Sequence, residues 1–225
     1  MQRLIEEISL RDKVYVFKDR REAGLLLAQR LSEYKGTDGI VLGIPSGGVP
    51  VAAEIAKAIG FPLDLIIVRK VQIPFNLEAG FGAVGPDGKA LLNRELLNRL
   101  DLSEEEVDQQ IQKTRDVIKR RDELFRGGLP FPSVKKKVVI IVDDGLASGY
   151  TIHSAIDFIR RREPGKIVVA VPTAPKKTVD LILPQVDELV CLNVRTGFTF
   201  AVADAYENWY DLKDAEVISI LKSFR

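Results

Sequence analysis

The stretch VVIIVDDGLASGYT, from Val138 to Thr151, decides the fold. Its first five residues are an unbroken β-branched run. Valine and isoleucine without alternation mark a strand buried on both faces. The run meets Asp143 and Asp144, then a turn of small residues through Gly149, and a helix that should begin near Thr151. Strand–turn–helix units of this kind build parallel sheets, whose ligands gather in the crevice outside the strands' carboxyl ends.

The same rhythm recurs on both sides. Residues 40–44 form an apolar run that ends in Pro45-Ser46-Gly47-Gly48, and residues 49–59 have helical spacing and stop at Gly60. Apolar runs return at 65–68, 167–171 and 189–192, and 156–162 reads as helix before Pro164-Gly165. Strands separated by helices predict a doubly wound α/β fold with a mainly parallel sheet and right-handed crossovers. Two segments leave this rhythm. Residues 81–84 and 90–92 flank Gly85-Pro86-Asp87-Gly88 and read as a hairpin. Residues 103–126 read as one long inserted helix with a capping box at Ser103 and Glu106 and a stop at Gly127-Gly128. Val107, Ile111, Thr114, Ile118 and Phe125 give that helix one narrow apolar face, and its basic stripe, Lys119 to Arg121, is expected in solvent. No Ser/Gly linker interrupts the chain, so a single domain over 1–225 is expected.

Composition narrows the chemistry. Thirty-three basic and 32 acidic residues give a net charge of +1, so no global positive field would draw nucleic acid. One cysteine and one histidine cannot build a disulfide framework or a Cys/His zinc site. No apolar run approaches a membrane span, and no secretory leader is read at the amino terminus, so a cytoplasmic protein is expected. The match of residues 80–85 to G-x-G-x-x-G lacks the helix a dinucleotide fingerprint needs.

The 138–151 segment suits a sugar phosphate. Small residues let backbone amides approach an anion, and the helix start adds partial positive charge and free donors. Ser148 and Thr151 add hydroxyls. Carboxylates repel phosphate, so Asp143 and Asp144 call for another part of the same ligand. Vicinal sugar hydroxyls can donate to them. The Pro45–Gly48 turn, before its own helix, fits a second anion.

These residues closely resemble the phosphoribosyl diphosphate-binding fingerprint of the type I phosphoribosyltransferases. The stretch Val68 to Val84 is similar to one in a poorly characterised branch of that family. The resemblance covers roughly 40–92 and 138–210. It implies that Asp143 and Asp144 hold the ribose 2- and 3-hydroxyls. Gly145, Leu146, Ala147, Ser148, Gly149, Tyr150 and Thr151 would wrap the 5-phosphate. Ser46, Gly47, Gly48 and Arg69 would take the diphosphate, with Lys70 as a cation for that leaving group and the following hairpin as a flexible closing loop. The tail, about 195–212, resembles the family's hood over the nucleophile pocket, and the loop ending at Lys176 faces the diphosphate or the base. Three positions depart from the pattern: Ser46 where a basic residue is usual, Ser148 where threonine is commoner, and Tyr150 where a small residue is usual. The implied activity transfers a 5-phosphoribosyl group from 5-phosphoribosyl 1-diphosphate to a nitrogen nucleophile, a nucleobase, releasing diphosphate. The implied cofactor is Mg²⁺, held by the ligand, by waters and by Asp143 and Asp144. A non-catalytic protein that binds phosphoribosyl diphosphate or a nucleotide and regulates something else is the alternative. The expected partners are those small molecules and further copies of the chain, as a homodimer or larger, with the long helix as a plausible interface. No nucleic acid or membrane partner is expected.

Overall fold

A computed structural model describes residues 2–74 and 76–224, so Phe75 of the 68–84 stretch lies outside the described residues. In chain order the strands are β1 (Arg3–Ile5), β2 (Gly39–Gly43), β3 (Leu63–Leu65), β4 (Arg69–Ile73), β5 (Asn76–Val84), β6 (Ala90–Leu92), β7 (Val138–Val142), β8 (Lys166–Pro175) and β9 (Glu188–Arg195). The helices are α1 (Arg20–Arg30), α2 (Gly48–Ile59), α3 (Arg94–Leu97), α4 (Glu104–Arg126), α5 (Tyr150–Arg160), α6 (Lys176–Ile182) and α7 (Asp214–Lys222).

Six strands form one parallel sheet in the order β1-β9-β8-β7-β2-β3. The Val/Ile runs sit in it because both faces are covered. Ile40, Leu42, Val139, Ile141, Val169 and Val171 pack on the α5 side with Ile152 and Ile156. Their alternates Val41, Ile140, Val142, Val168 and Ala170 pack on the other face with Leu27, Val51 and Ile55 of α1 and α2. From β2 the chain winds outward to β3, and from β7 it winds the opposite way through β8 to β9. The winding reverses between β2 and β7, which are paired so that Gly43 lies opposite Val142. That reversal opens a crevice at the carboxyl ends of these two strands.

The expected hairpin is β5-β6, and β4 joins it in a separate antiparallel sheet. With α4 and α7 it encloses a second core around Val71, Phe81, Ile111, Ile118, Phe125 and Val217. The capping box at Ser103 and Glu106 is present, and Gly127 ends α4 in the left-handed conformation. No helix among the described residues is long and apolar enough to cross a membrane.

Three expectations need correction. The apolar run at 65–68 is not a strand throughout: β3 stops at Leu65, the Ile66 amide still donates to the Gly43 carbonyl of β2 at 3.1 Å, and Ile67 and Val68 are buried beyond the sheet. Arg69 and Lys70 therefore open the hairpin strand β4 instead of ending a sheet strand. Cys191, from the apolar run at 189–192, lies within β9 and is fully buried. The basic stripe of α4 is not wholly in solvent either. Arg121 turns inward, and Arg126, outside that stripe, is buried and ion-paired with Asp64 and Asp122 at 2.9 Å each.

Candidate active site

Val142 and Gly43 end their strands side by side, so the next residues of each face one crevice. Gly48 packs against the start of the acidic pair. A methyl group there would lie 2.6 Å from the Val142 carbonyl oxygen and 2.8 Å from the Asp143 Cα. Gly47 is closer still, and a Cβ on it would overlap Oδ2 of Asp144. Glycine is required here by the close approach of the two loops. The turn includes a cis peptide between Pro45 and Ser46. Ser46, Gly47, Gly48, Asp143 and Asp144 are thus brought together.

Asp144 is held from two sides, at its carboxylate and at its backbone carbonyl. Arg20 donates from Nε to its Oδ2 at 2.8 Å, with the two side chains only 7% and 14% exposed. Arg20 is the first residue of α1, placed there because the Asp19 side chain caps that helix by accepting from the Glu22 amide. Its Nη1 donates to the Tyr210 carbonyl at 2.8 Å, and its guanidinium carbon lies 3.9 Å from the centre of the Trp209 ring. The Tyr206 hydroxyl donates to the Asp144 backbone carbonyl at 2.6 Å. The tail expected as a hood is therefore clasped to the acidic pair through Arg20, 124 residues from Asp144 in sequence. Neither Arg20 nor its role is visible in the sequence.

Asp143 accepts a hydrogen bond from the Asp144 amide at 2.9 Å. Burial, and then the adjacent Asp144 charge, push its carboxyl well above the usual carboxylate range. Burial also raises Asp144, against the pull of Arg20. Asp143→Asn is therefore expected to stabilise the fold at neutral pH. The unfolded chain ionises this acid near pH 4, whereas the fold holds its proton to higher pH. The fold is penalised as pH climbs through that interval and no further above it. The gain from asparagine should be absent near pH 3, grow through the acidic range and then level off. It is worth about 2–4 °C of unfolding midpoint per kcal/mol in a chain of this size. Thermal unfolding of both proteins between about pH 3 and 8 measures it.

The loop after the acids is anchored from behind. The Leu146 amide donates to the Thr173 carbonyl at 2.9 Å, and the Thr178 hydroxyl donates to the Ala147 carbonyl at 2.6 Å. Thr173 is fully buried and donates to Oδ1 of Asn193 at 2.7 Å. Gly149 takes a left-handed φ of 82° and leads into α5, whose first helical bond comes from the His153 amide. The amides of Tyr150, Thr151 and Ile152 thus precede any intrahelical acceptor and point out of the helix end. Ala147 and Ser148 are exposed. Tyr150 is half-buried and packs against the apolar core on the α5 side of the sheet. His153 lies 3.9 Å from Asp157 on the same helix, as a surface pair.

A cavity of about 420 Å³ adjoins this loop, lined by Ala147, Ser148, Lys176, Arg195, Phe198 and Phe200 among others. The hood rings therefore divide. Tyr206 is buried behind the acids and Trp209 stacks on Arg20, while Phe198 stands fully exposed at the cavity. Lys70 lies on the hairpin with its side chain across Gly80, where a Cβ would overlap it. With Arg69 it borders a hollow beneath Thr114 and Val117 of α4. Arg69 lies close enough to Arg121 for the two positive charges to disfavour one another. Arg121, expected in solvent, instead donates from Nη2 to the Ser46 hydroxyl at 2.8 Å.

The phosphoribosyl transferase domain family matches residues 20–207. Two Mycobacterium tuberculosis proteins, from strains CDC 1551 / Oshkosh and H37Rv, are each 40% identical over 206 residues. Both are provisionally named phosphoribosyl transferases. The match covers 92% of this chain and 46% of theirs, so the chain spans about half the length of these curated relatives. A Thermus thermophilus protein of known crystal structure is 36% identical, with a TM-score of 0.74 over 92% of this chain and 98% of that one. A Neisseria gonorrhoeae protein crystallised with ppGpp bound shares the fold at 14% identity and a TM-score of 0.52, covering 100% of this chain and 99% of its own.

Proposed function

This chain belongs to the phosphoribosyl transferase family, and from that premise we propose that it moves a 5-phosphoribosyl group from 5-phosphoribosyl 1-diphosphate to a nitrogen nucleophile, releasing diphosphate. One observation carries the reading: the Gly47-Gly48 turn lies directly against the Asp143–Asp144 pair. Backbone donors suited to an anion and carboxylates suited to a diol thus share one crevice. A ligand with phosphate groups at both ends of a ribose spans it.

Asp143 and Asp144 accept hydrogen bonds from the ribose hydroxyls. Arg20 holds Asp144 in place for this and is a positioning residue. The loop from Gly145 to Thr151 takes the 5-phosphate on its amides and hydroxyls. Ser46, Gly47 and Gly48, with Arg69 and Lys70, face the diphosphate. The acceptor, a nucleobase, enters the cavity between Ser148 and the exposed Phe198, where an aromatic ring can stack on a planar base. As positive charge develops on the ribose ring, the two carboxylates and the orienting loops stabilise it without a covalent nucleophile.

The acidic pair fits a metal carried in by the ligand. No cluster of three or more metal-ligating side chains occurs among the described residues. Asp144 already spends one oxygen on Arg20. Mg²⁺, which keeps several waters and takes few carboxylates, suits such a pair together with diphosphate oxygens. Bound there, it would neutralise charge on the departing diphosphate.

The test is diphosphate release from 5-phosphoribosyl 1-diphosphate with Mg²⁺ over a panel of purine, pyrimidine and other heteroaromatic acceptors. Tight binding without release for every acceptor would favour a ligand-binding regulator instead. A companion measurement uses Asp143→Asn and Asp144→Asn. Each should weaken ribose 5-phosphate binding by about 1–3 kcal/mol per lost charged hydrogen bond, read by calorimetry. Unchanged affinity in both would refute the reading.

A further inference from the structure

The loop facing the diphosphate has a serine where the resembled family carries a basic residue, yet a cation is present. Arg121 reaches Ser46 from the inserted helix α4, a different layer of the molecule. Its side chain is only 18% exposed, and its one ion pair among the described residues is with Asp214 on α7 at a loose 3.6 Å. Its Nε is buried and has no hydrogen-bond partner among them. Phe125 backs the guanidinium, with its ring centre 4.8 Å from the guanidinium carbon. Arg69 is close enough for the two positive charges to disfavour one another, and burial weakens Arg121 as a base still more. A buried guanidinium with an unused donor, a second guanidinium nearby and one distant, half-exposed carboxylate make an anion site with a charge to spare. Guanidinium forks match phosphate oxygens in pairs.

We propose that Arg121, working with Arg69, is the cation that receives the diphosphate arm of the substrate, supplied by α4 in place of a basic residue in the loop. This rests on the phosphoribosyl-transfer reading. In the free protein Asp214 and Ser46 hold Arg121 ready. Diphosphate takes over the guanidinium, satisfies Nε and displaces Asp214. The inserted helix then has a chemical role beyond covering the hairpin.

The experiment measures binding of two probes, inorganic diphosphate with Mg²⁺ and ribose 5-phosphate, to the whole protein by calorimetry. Arg121→Gln should weaken diphosphate binding by about tenfold or more, as expected for losing a charge-assisted fork, and leave ribose 5-phosphate within about twofold. Arg121→Lys, which keeps the charge and loses the fork, should fall between. Should Arg121→Gln not fold, Asp214→Asn serves: releasing Arg121 should tighten diphosphate binding severalfold. The proposal is overturned if wild type does not bind diphosphate, or if Arg121→Gln binds it normally or loses both probes alike. An Asp214→Asn protein unchanged toward diphosphate overturns it too. Failure of the wider reading looks different: ribose 5-phosphate affinity would survive Asp143→Asn and Asp144→Asn, or no acceptor would release diphosphate, while the Arg121 effect persisted.

Discussion

Arg20→Met is expected to destabilise the protein by about 3–5 kcal/mol at neutral pH, the usual cost of removing one partner from a buried ion pair. Arg20 and Asp144 are both largely withdrawn from water and 2.8 Å apart. Without the guanidinium, Asp144 would sit beside Asp143 with no compensating charge. The same substitution releases the Tyr210 carbonyl and the face of Trp209. The pH dependence has a definite sign. Burial already raises Asp144, and the Arg20 charge is what opposes that rise. Its removal lifts the folded-state value further above that of the unfolded chain. The added penalty therefore appears as pH rises above about 4, where the unfolded carboxyl ionises, and disappears below it. Urea unfolding at about pH 4 and 7.5 separates this electrostatic part from lost packing, which persists at both.

Gly47→Ala should abolish useful binding of the sugar phosphate while the sheet persists. The new methyl group occupies the position of the Asp144 carboxylate. Either the loop opens or the carboxylate turns away from Arg20. Overpacking of this kind costs about 1–3 kcal/mol, and a displaced charged hydrogen bond costs about as much again. A loss of about 3 kcal/mol is more than a hundredfold in affinity for ribose 5-phosphate. The measurement is a titration of wild type and variant, alongside circular dichroism to show that the fold is retained.

Much of this architecture is legible in residues 138–151, because a strand buried on both faces leaves an unmistakable run and its end must carry the crevice. The capping box at Ser103 is equally local, and it appears where expected. What escapes is what depends on distance. Nothing near Arg20 announces that it will meet an acid 124 residues away. The segment after Leu65 misleads for a different reason. Ile67 and Val68 are apolar because the hairpin and α5 cover them, while Ile66 only extends the ladder by one bond to Gly43. Composition reports burial and is silent about hydrogen bonding. Arg121 could have been found. It lies three residues after Ile118 and four before Phe125, on the apolar face of α4, while Lys119 and Arg120 point away from it. A basic residue in register with a buried stripe is not part of a solvated one.

The clasp on Asp144 has a dynamic consequence. Residues near Phe17 pair with those near Tyr206, the Tyr206 hydroxyl holds the Asp144 carbonyl, and Arg20 ties the same acid to Tyr210. Two segments almost the whole chain apart in sequence are thus fastened at Asp144, one through its carboxylate and the other through its backbone carbonyl. Opening either one loosens the other, so both should exchange their amide hydrogens with solvent in a single cooperative unit. A ligand that tightens the acidic pair would slow exchange at 17–20 and 206–210 together, far beyond the residues it touches.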